Sequence, residues 1–252
     1  MLQLDGSGEE TFCGGSLISE KWIMTAAHCI SEFQKIFKQD FGSNSVKLYL
    51  GATDCFGTGG IIRQPERVEI HENYRQFAYM NSDIELIELS SPVEYTESIR
   101  PICLEPARYN DRVFFGEEGH IMMTYGKVAG CGFDWRGAKK RDLMEISIPY
   151  VDRNSCEDMF DEHRASSRIR VPDNFMLTDN MICAGNEVRR TGDTCKGDSG
   201  GALVMVAQNR WVQTGIVSFG IGCDRGNYGV YTNVGRYYEW IKQHTHFDQE
   251  FI

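Results

Sequence analysis

Apolar and polar residues alternate in short runs along much of the chain, and turn-forming residues separate these runs. Alternation with a period of two is typical of half-buried β-strands, because successive side chains point to opposite faces of a sheet. The clearest runs are 45–50, 84–89, 144–148, 201–206 and 213–218. Many short strands with glycine-rich turns predict an all-β sandwich or barrel.

The pattern changes near the C-terminus. Val234, Tyr237, Tyr238 and Ile241 recur at helical spacing, so they predict an amphipathic α-helix at about 233–245. No internal repeat, low-complexity tract or linker interrupts the chain, which favours one continuous domain.

Composition narrows the classes of function. The 252 residues are 41% hydrophobic, enough for a sizeable core, and the net charge is -10. We expect no nucleic-acid partner, because phosphate backbones are bound mainly through Lys and Arg. No run approaches the ~18–20 consecutive apolar residues of a membrane helix, so no membrane span is expected.

Nine cysteines are spread along the chain without any C-x-x-C pair. No Cys/His/carboxylate cluster has the spacing of a zinc site, so we expect no metal there, and we interpret His244 and His246 as incidental. Wide spacing favours a disulfide framework in an oxidising, extracellular compartment. The odd number means that one cysteine is free or pairs outside the chain. The positions are 13, 29, 55, 103, 131, 156, 183, 195 and 223.

Three segments carry His28, Asp83 and Ser199, which together fit nucleophilic catalysis. A serine can attack a carbonyl when a histidine takes its proton, a carboxylate orients that histidine and N–H groups bind the oxyanion. Each residue alone has an ordinary interpretation as a packed histidine, a turn aspartate or part of a tight turn. Their joint occurrence in this order indicates acyl transfer through a serine.

The motifs around these residues resemble those of the chymotrypsin/trypsin family of serine proteases. They read Ala26-Ala27-His28-Cys29 and Gly197-Asp198-Ser199-Gly200-Gly201. The resemblance extends from about residue 2 to residue 246. It implies an all-β fold of two packed six-stranded antiparallel β-barrels, at about 1–100 and about 113–232, followed by the C-terminal helix.

The resemblance also implies a role for each matching residue. Ser199 is the nucleophile, His28 the general base and later the general acid, and Asp83 orients His28. The main-chain N–H groups of Gly197 and Ser199 form the oxyanion hole. Asp198 would pair with the amine that an activating cleavage creates.

Specificity is implied in the same way. Asp193 stands where trypsin-like members carry a pocket aspartate, and Gly220 and Gly229 match the glycines that keep that pocket open. A carboxylate at the base of a slot needs a cation, so the residue before the cut bond should be Arg or Lys. Residues 218–220 match the strand that pairs with the substrate backbone. Ser218 should also bind Asp83, and Phe219 stands where the family more often has Trp.

The cysteines match family disulfides at Cys13–Cys29, Cys156–Cys183 and Cys195–Cys223. Cys131 takes the place of a family Trp, in a turn that the loop around Cys55 should approach. We therefore hypothesise a Cys55–Cys131 disulfide, which a Cα separation well beyond ~7 Å would refute. Cys103 matches the cysteine that ties this type of domain to an upstream chain or module.

Several departures from the family qualify these expectations. Family members are zymogens cut before Ile-Val-Gly-Gly, whereas this chain opens Met1-Leu2-Gln3, so we expect an N-terminally truncated domain that is nearly inactive as written. Segments 30–49 and 157–181 are expected to be long loops, as in regulatory proteases of the invertebrate clip-domain or complement type.

Tyr228 replaces a common proline and suggests a sodium ion nearby, and no other cofactor is expected. The basic residues at 136–141 form a solvated loop or an exosite.

The resulting prediction is a secreted zymogen of a serine endopeptidase that cleaves after Arg or Lys. Its partners would be protein substrates, serpin or Kunitz-type inhibitors, and the module linked through Cys103. The alternatives are a non-catalytic homologue acting as a binding or cofactor module, and a structural or adhesion fragment. Retention of all three catalytic-type residues together with Asp193 disfavours both.

Overall fold

The structure is a computed structural model. It describes residues 1–6, 9–31, 46–107, 124–134, 136–166, 171–186, 193–223 and 226–245.

Strands of the first half form two antiparallel sheets of four. The strands are β1 Leu2–Gly6, β2 Glu9–Cys13, β3 Ser16–Leu17, β4 Trp22–Thr25, β5 Val46–Leu50, β6 Ile61–Arg63, β7 Pro65–Ile70 and β8 Glu85–Leu89. One sheet has the order β2-β1-β5-β6 and the other has the order β3-β4-β8-β7. The pairing of β4 with β8 matters most for function, because the segments after β4 and before β8 carry His28 and Asp83.

The two sheets share one hydrophobic core. Met24, Leu48 and Leu86 are fully or almost fully buried in it. Ile216 from the second half and Ile241 near the C-terminus complete the same core. Because burying one such side chain stabilises a protein by roughly 1.5–3 kcal/mol, this shared core fixes the two halves against each other.

Strands of the second half close into a barrel. They are β9 Cys103–Leu104, β10 Tyr125–Gly130, β11 Met144–Val151, β12 Met181–Ala184, β13 Ala202–Ala207, β14 Arg210–Gly220 and β15 Gly229–Asn233. Six of them follow the order β13-β10-β11-β12-β15-β14, and β14 pairs back with β13. The short β9 adds to β14 in parallel. The predicted all-β fold is confirmed, and the five alternating runs lie in β5, β8, β11, β13 and β14.

Two longer α-helices follow, α1 at Arg153–Ser166 and α2 at Tyr238–Thr245, and a helical turn covers 27–31. The predicted C-terminal helix is confirmed, although its first turn, Val234–Tyr237, is a 3-10 helix. The prediction of a long loop at 157–181 is wrong for 157–166, which belong to α1. Only Cys156 and Phe160 of α1 are buried, so its apolar stripe is too narrow to stand out in the sequence. Most of the other expected loop, residues 32–45, lies outside the described residues.

Candidate active site

Strand pairing brings Asp83 and His28 together. Asp83 lies just before β8, and His28 lies in a helical turn at 27–31 just after β4. Asp83 Oδ2 is 2.8 Å from His28 Nδ1, and Oδ1 accepts the main-chain N–H of His28 at 2.8 Å. This two-point contact fixes the ring. With Nδ1 donating to the carboxylate, the neutral imidazole keeps Nε2 as its proton acceptor.

The second half supplies two further donors to Asp83. Ser218 Oγ donates to Asp83 Oδ2 at 2.5 Å, and Thr232 Oγ1 donates to the main-chain oxygen of Asp83 at 2.8 Å. Burial raises the pKa of Asp83, but the charge and hydrogen bonds of His28 and the hydrogen bond from Ser218 outweigh it and hold this pKa below its usual value. Asp83 is therefore an ionised carboxylate at neutral pH, although its side chain is fully buried.

The loop before Asp83 has a strained backbone. Four of its non-glycine residues have φ between 55° and 69°: Arg75, Phe77, Met80 and Ser82. Left-handed conformations of this kind cost of order 1–3 kcal/mol each and persist where neighbours hold them. Asn81 receives such support, because its Oδ1 accepts hydrogen bonds from Thr178 Oγ1 at 2.9 Å and Asn180 Nδ2 at 3.1 Å. The second half thus helps to hold the loop that carries Asp83.

The turn that carries Ser199 lies against the segment before His28. Gly200, the next residue, has φ of 79°. A Cβ at Gly200 would come within 2.2 Å of Thr25 Oγ1 and 3.2 Å of the main-chain nitrogen of Ala26. Only glycine fits at this contact. The close approach places the serine turn beside the end of β4, directly before the histidine.

Two unused donors flank the serine turn. The main-chain N–H groups of Gly197 and Ser199 donate no hydrogen bond to any of the residues the structure describes. Gly197 has φ of 94°, a conformation that side chains rarely adopt. Free N–H groups beside a nucleophile can bind the oxyanion of a tetrahedral intermediate.

Asp198 is held by main-chain groups. Its Oδ1 accepts the N–H of Gly132 at 2.8 Å, and its Oδ2 accepts the N–H of Cys195 at 3.0 Å. Burial raises the pKa of Asp198, and these hydrogen bonds only partly offset the effect. No Lys, Arg or His among the described residues pairs with this carboxylate. It adjoins a cavity of about 170 Å³, which Val128 and Ile146 also line.

Asp193 and the two pocket glycines lie on segments that the structure joins. Gly220 and Gly229 are opposite each other in the β14–β15 pair. A Cβ at Gly220 would meet nothing closer than 3.7 Å, so packing within the protein does not require glycine there. Asp193 is half-buried, and its Oδ1 accepts the N–H of Thr194 at 2.7 Å.

Aromatic packing surrounds Phe219. Its ring meets the rings of Tyr79 and Phe175 edge to face, with centroids 5.4 and 5.6 Å apart. Tyr228 is buried nearby in the same cluster, and its main-chain N–H lies 3.1 Å from Met159 Sδ. Phe219 therefore fills the position of the more usual Trp with a ring that is itself packed on both sides.

Glu85 is a site residue that the sequence did not reveal. It is fully buried two residues after Asp83, and neither carboxylate oxygen has a hydrogen-bond partner in the described part of the chain. Burial, together with the negative charge of Asp83, raises the pKa of Glu85 well above its usual value. Alternation along Ile84-Glu85-Leu86 suggests a solvent-facing glutamate, but β8 is buried on both faces at this end.

Four disulfides join Cys13 to Cys29, Cys55 to Cys131, Cys156 to Cys183 and Cys195 to Cys223. These are the four pairs expected from the sequence, and the Cα atoms of Cys55 and Cys131 are 5.5 Å apart. Cys195–Cys223 joins the Asp193 segment to the segment after β14. Cys103 is a buried free thiol in β9.

A buried aspartate that fixes a histidine ring at the junction of two β-rich halves, with a serine turn beside it, is typical of catalytic rather than structural use. The closed barrel of the second half, the two sheets of the first half and this site together define the class of serine peptidases. Comparison with known families agrees, because the family model Trypsin matches residues 1–241. The chain belongs to the trypsin family, whose members are in general serine-type peptidases acting on proteins.

Among the residues that the structure describes, no helix is long and apolar enough to cross a membrane. Within the same residues, no group of three or more His, Cys, Asp or Glu side chains could hold a metal ion. Trypsin-like domains with several disulfides are typically extracellular.

Proposed function

We propose that this chain is the catalytic domain of an endopeptidase that cleaves after Arg or Lys through His28, Asp83 and Ser199. The contact between Asp83 and His28 carries the proposal. It uses a fully buried carboxylate, donors from both halves of the fold and two separate hydrogen bonds to orient one imidazole ring. Such an arrangement is costly to build and is typical of a general base.

The proposed reaction has two parts. Ser199 Oγ attacks the carbonyl carbon of the scissile bond as His28 Nε2 takes its proton, and the N–H groups of Gly197 and Ser199 bind the oxyanion. His28 then protonates the leaving amine, and an acyl-enzyme remains. Water repeats the attack with His28 again as the base, which releases the acid and restores the serine.

Asp193 is the proposed determinant of specificity. Open space at Gly220, opposite Gly229, would admit the side chain that precedes the cut bond, and the carboxylate of Asp193 would pair with its cationic end. Ser218, Phe219 and Gly220 would bind the substrate main chain along the end of β14.

We further propose activation by a buried amine. The carboxylate of Asp198 has no cationic partner among the described residues, and a cavity adjoins it. A second cavity of about 340 Å³ lies between the halves and shares Gly130 with the first. An Ile-Val-Gly-Gly terminus lying along these cavities would bring its amine to Asp198, as in a secreted zymogen after cleavage.

The partners and the ion follow as further proposals. Cys103 would form a disulfide with an upstream chain or module, and serpin or Kunitz-type inhibitors would occupy the cleft. If sodium binds next to Tyr228, the rate of peptide hydrolysis should be higher in sodium chloride than in choline chloride at equal ionic strength. The alternative function, a non-catalytic binding module, has no observation of its own in its favour.

The test is hydrolysis of fluorogenic peptides ending in Arg, Lys, Phe or Ala. It compares the chain as it stands with a version extended to begin Ile-Val-Gly-Gly. We expect the extended version to cleave after Arg and Lys, with a loss of about 10⁴-fold or more in Ser199→Ala. The matched variant Asp193→Asn should lose this preference yet still be labelled by an organophosphonate. A folded, extended protein that neither cleaves nor is labelled would establish the non-catalytic module instead.

A further inference from the structure

The disulfide Cys55–Cys131 joins the two halves of the fold beside the proposed oxyanion site. Resting on the proposed function, we propose that this disulfide positions the turn 195–199, and so determines whether the N–H groups of Gly197 and Ser199 can bind an oxyanion. The disulfide acts through main-chain contacts and touches no substrate, so its cysteines are positioning residues.

The first-half end of this connection is a loop paired with the second half. The main-chain N–H of Cys55 donates to the oxygen of Arg141 at 2.6 Å, and that of Leu143 donates to Thr53 at 2.8 Å. Arg141 Nε also forms an ion pair with Asp54 Oδ2 at 2.8 Å. We call residues 53–56 and 141–143, with the disulfide, the inter-half bridge. Because Cys55 is fully buried, this end of the disulfide is held firmly.

A cation–π contact supports the inter-half bridge from outside. Lys139 Nζ lies 3.2 Å from the centroid of the Phe12 ring and 5.2 Å from that of Phe56. The basic segment 136–141 is thereby engaged within the protein at Lys139 and Arg141, and Lys140 pairs with Asp134 at 3.2 Å. Lys139 and Arg141 thus hold the second half against the first.

At its second-half end, the disulfide is attached to a tightly packed turn. Cys131 lies between Gly130 and Gly132. A Cβ at Gly130 would come within 2.0 Å of Asp198 Oδ1, and one at Gly132 within 2.3 Å of Asp198 Oδ2. Both neighbours of Cys131 are therefore in direct contact with the carboxylate of Asp198, so a movement of Cys131 would displace that carboxylate.

From this turn the contacts run into 195–199. The N–H of Gly132 donates to Asp198 Oδ1 at 2.8 Å, and the N–H of Phe133 donates to the main-chain oxygen of Lys196 at 2.9 Å. A Cβ on Gly197 would lie 3.1 Å from Gly132 Cα, so the two backbones are in close contact. The position of the Gly197 N–H is thus set by the turn that Cys131 anchors.

An anchor of this kind matters because Asp198 is buried and has no cationic partner among the described residues. A buried carboxylate held by two main-chain N–H groups gains free energy by turning toward water, which would carry the neighbouring oxyanion donors with it. The inter-half bridge opposes that movement, because it fixes the donors of the 131–133 turn in place. It would add to, and not replace, the amine proposed for activation.

The experiment compares two disulfide-free variants of the full chain with the unmodified chain. The test variant is C55S/C131S, and the matched control is C156S/C183S, which removes a disulfide from the α1–β12 contact in the same half. Amide hydrogen exchange is followed by mass spectrometry at a temperature where all three proteins are folded. We expect exchange of the hydrogen-bonded amides within 195–199, those of Cys195 and Asp198, to become about tenfold faster or more in C55S/C131S. In the control variant, amide exchange should become faster only around 153–166 and 181–184.

A catalytic readout separates this proposal from the function on which it rests. In the Ile-Val-Gly-Gly version, C55S/C131S should lower kcat about tenfold or more with KM little changed, while C156S/C183S should leave kcat unchanged. If no version cleaves any peptide, the proposed function fails, and the exchange result still decides the role of the disulfide. Unchanged exchange in 195–199 of folded C55S/C131S would overturn the proposal. Should this variant not fold, C55A/C131A replaces it. Failure of both to fold would overturn the local role proposed here, because the disulfide would then be a requirement of the whole fold.

Discussion

Replacing Glu85 with Gln should change how the stability of this protein depends on pH. Glu85 is fully buried beside Asp83, and both of its oxygens lack hydrogen-bond partners among the described residues. Burial raises the pKa of Glu85 well above its usual value, so the folded protein keeps this side chain protonated where the unfolded chain ionises it. The stabilising contribution of the neutral form is complete below the unfolded pKa and is lost as the pH rises toward the folded pKa.

The size of the effect follows from proton linkage. Between the unfolded pKa, 4.5, and the raised folded pKa, the native state binds one more proton than the unfolded state at Glu85. The free energy of unfolding then falls by about 1.4 kcal/mol for each pH unit through this group alone. Glu85→Gln cannot titrate, so its curve lacks this slope. A constant free-energy cost of burying the amide shifts the unfolding free energy by the same amount at every pH and leaves its slope unchanged.

The assay is equilibrium unfolding in guanidinium chloride from pH 5 to pH 8, with disulfides intact and in a Ser199→Ala background that prevents self-digestion. The difference in unfolding free energy between Glu85→Gln and the parent should grow with pH by about 1.4 kcal/mol per unit up to the folded pKa of Glu85 and stay constant above it. Asp83 stays ionised in both folded proteins over this range, and the other titratable groups are the same in both, so their contributions largely cancel. Parallel curves over this range would show that Glu85 is not a buried neutral acid.

Two other substitutions have expected outcomes. Gly130→Ala places a Cβ 2.0 Å from Asp198 Oδ1 and should reduce peptide hydrolysis about tenfold or more. In Gly137→Ala the Cβ meets nothing within 4 Å, so this variant should lose some stability through its φ of 76° but keep its rate of hydrolysis. Equal rates for the two variants in a peptidase assay would contradict the geometry. Tyr150→Phe removes a buried 2.6 Å hydrogen bond to Thr214 Oγ1 and should lower the unfolding free energy by about 1 kcal/mol. Guanidinium unfolding measures this cost, and a variant as stable as the parent would show that the bond contributes nothing.

The sequence predicted the architecture where local pattern and motif agreed. Alternating runs located five strands, although β8 and residues 213–218 of β14 are buried on both faces. The segments around His28, Asp83 and Ser199 were found from motif and order alone, and the structure brings them together at the junction of the halves. Roles for these residues remain predictions, because hydrolysis tests them and geometry does not.

The sequence failed where burial departs from periodicity. Glu85 reads as a solvent-facing residue of an alternating strand, yet both faces of β8 are covered there. Helix α1 was missed because its charged residues dominate and only Cys156 and Phe160 face the core. The hypothesised pairing of Cys55 with Cys131 is confirmed, but it came from the resemblance to a family, because spacing along a chain does not encode the meeting of two loops across the halves.

Asp83 accepts hydrogen bonds from both halves, so its protonation is thermodynamically linked to the contact between the halves. Ser218 and Thr232 bind Asp83 from the second half, while His28 binds it from the first. By reciprocity, a change that withdraws the Ser218 hydroxyl raises the pKa of Asp83, and protonating Asp83 weakens the Ser218 contact by the same free energy. Acid should therefore weaken this contact between the halves in the same event that releases the histidine.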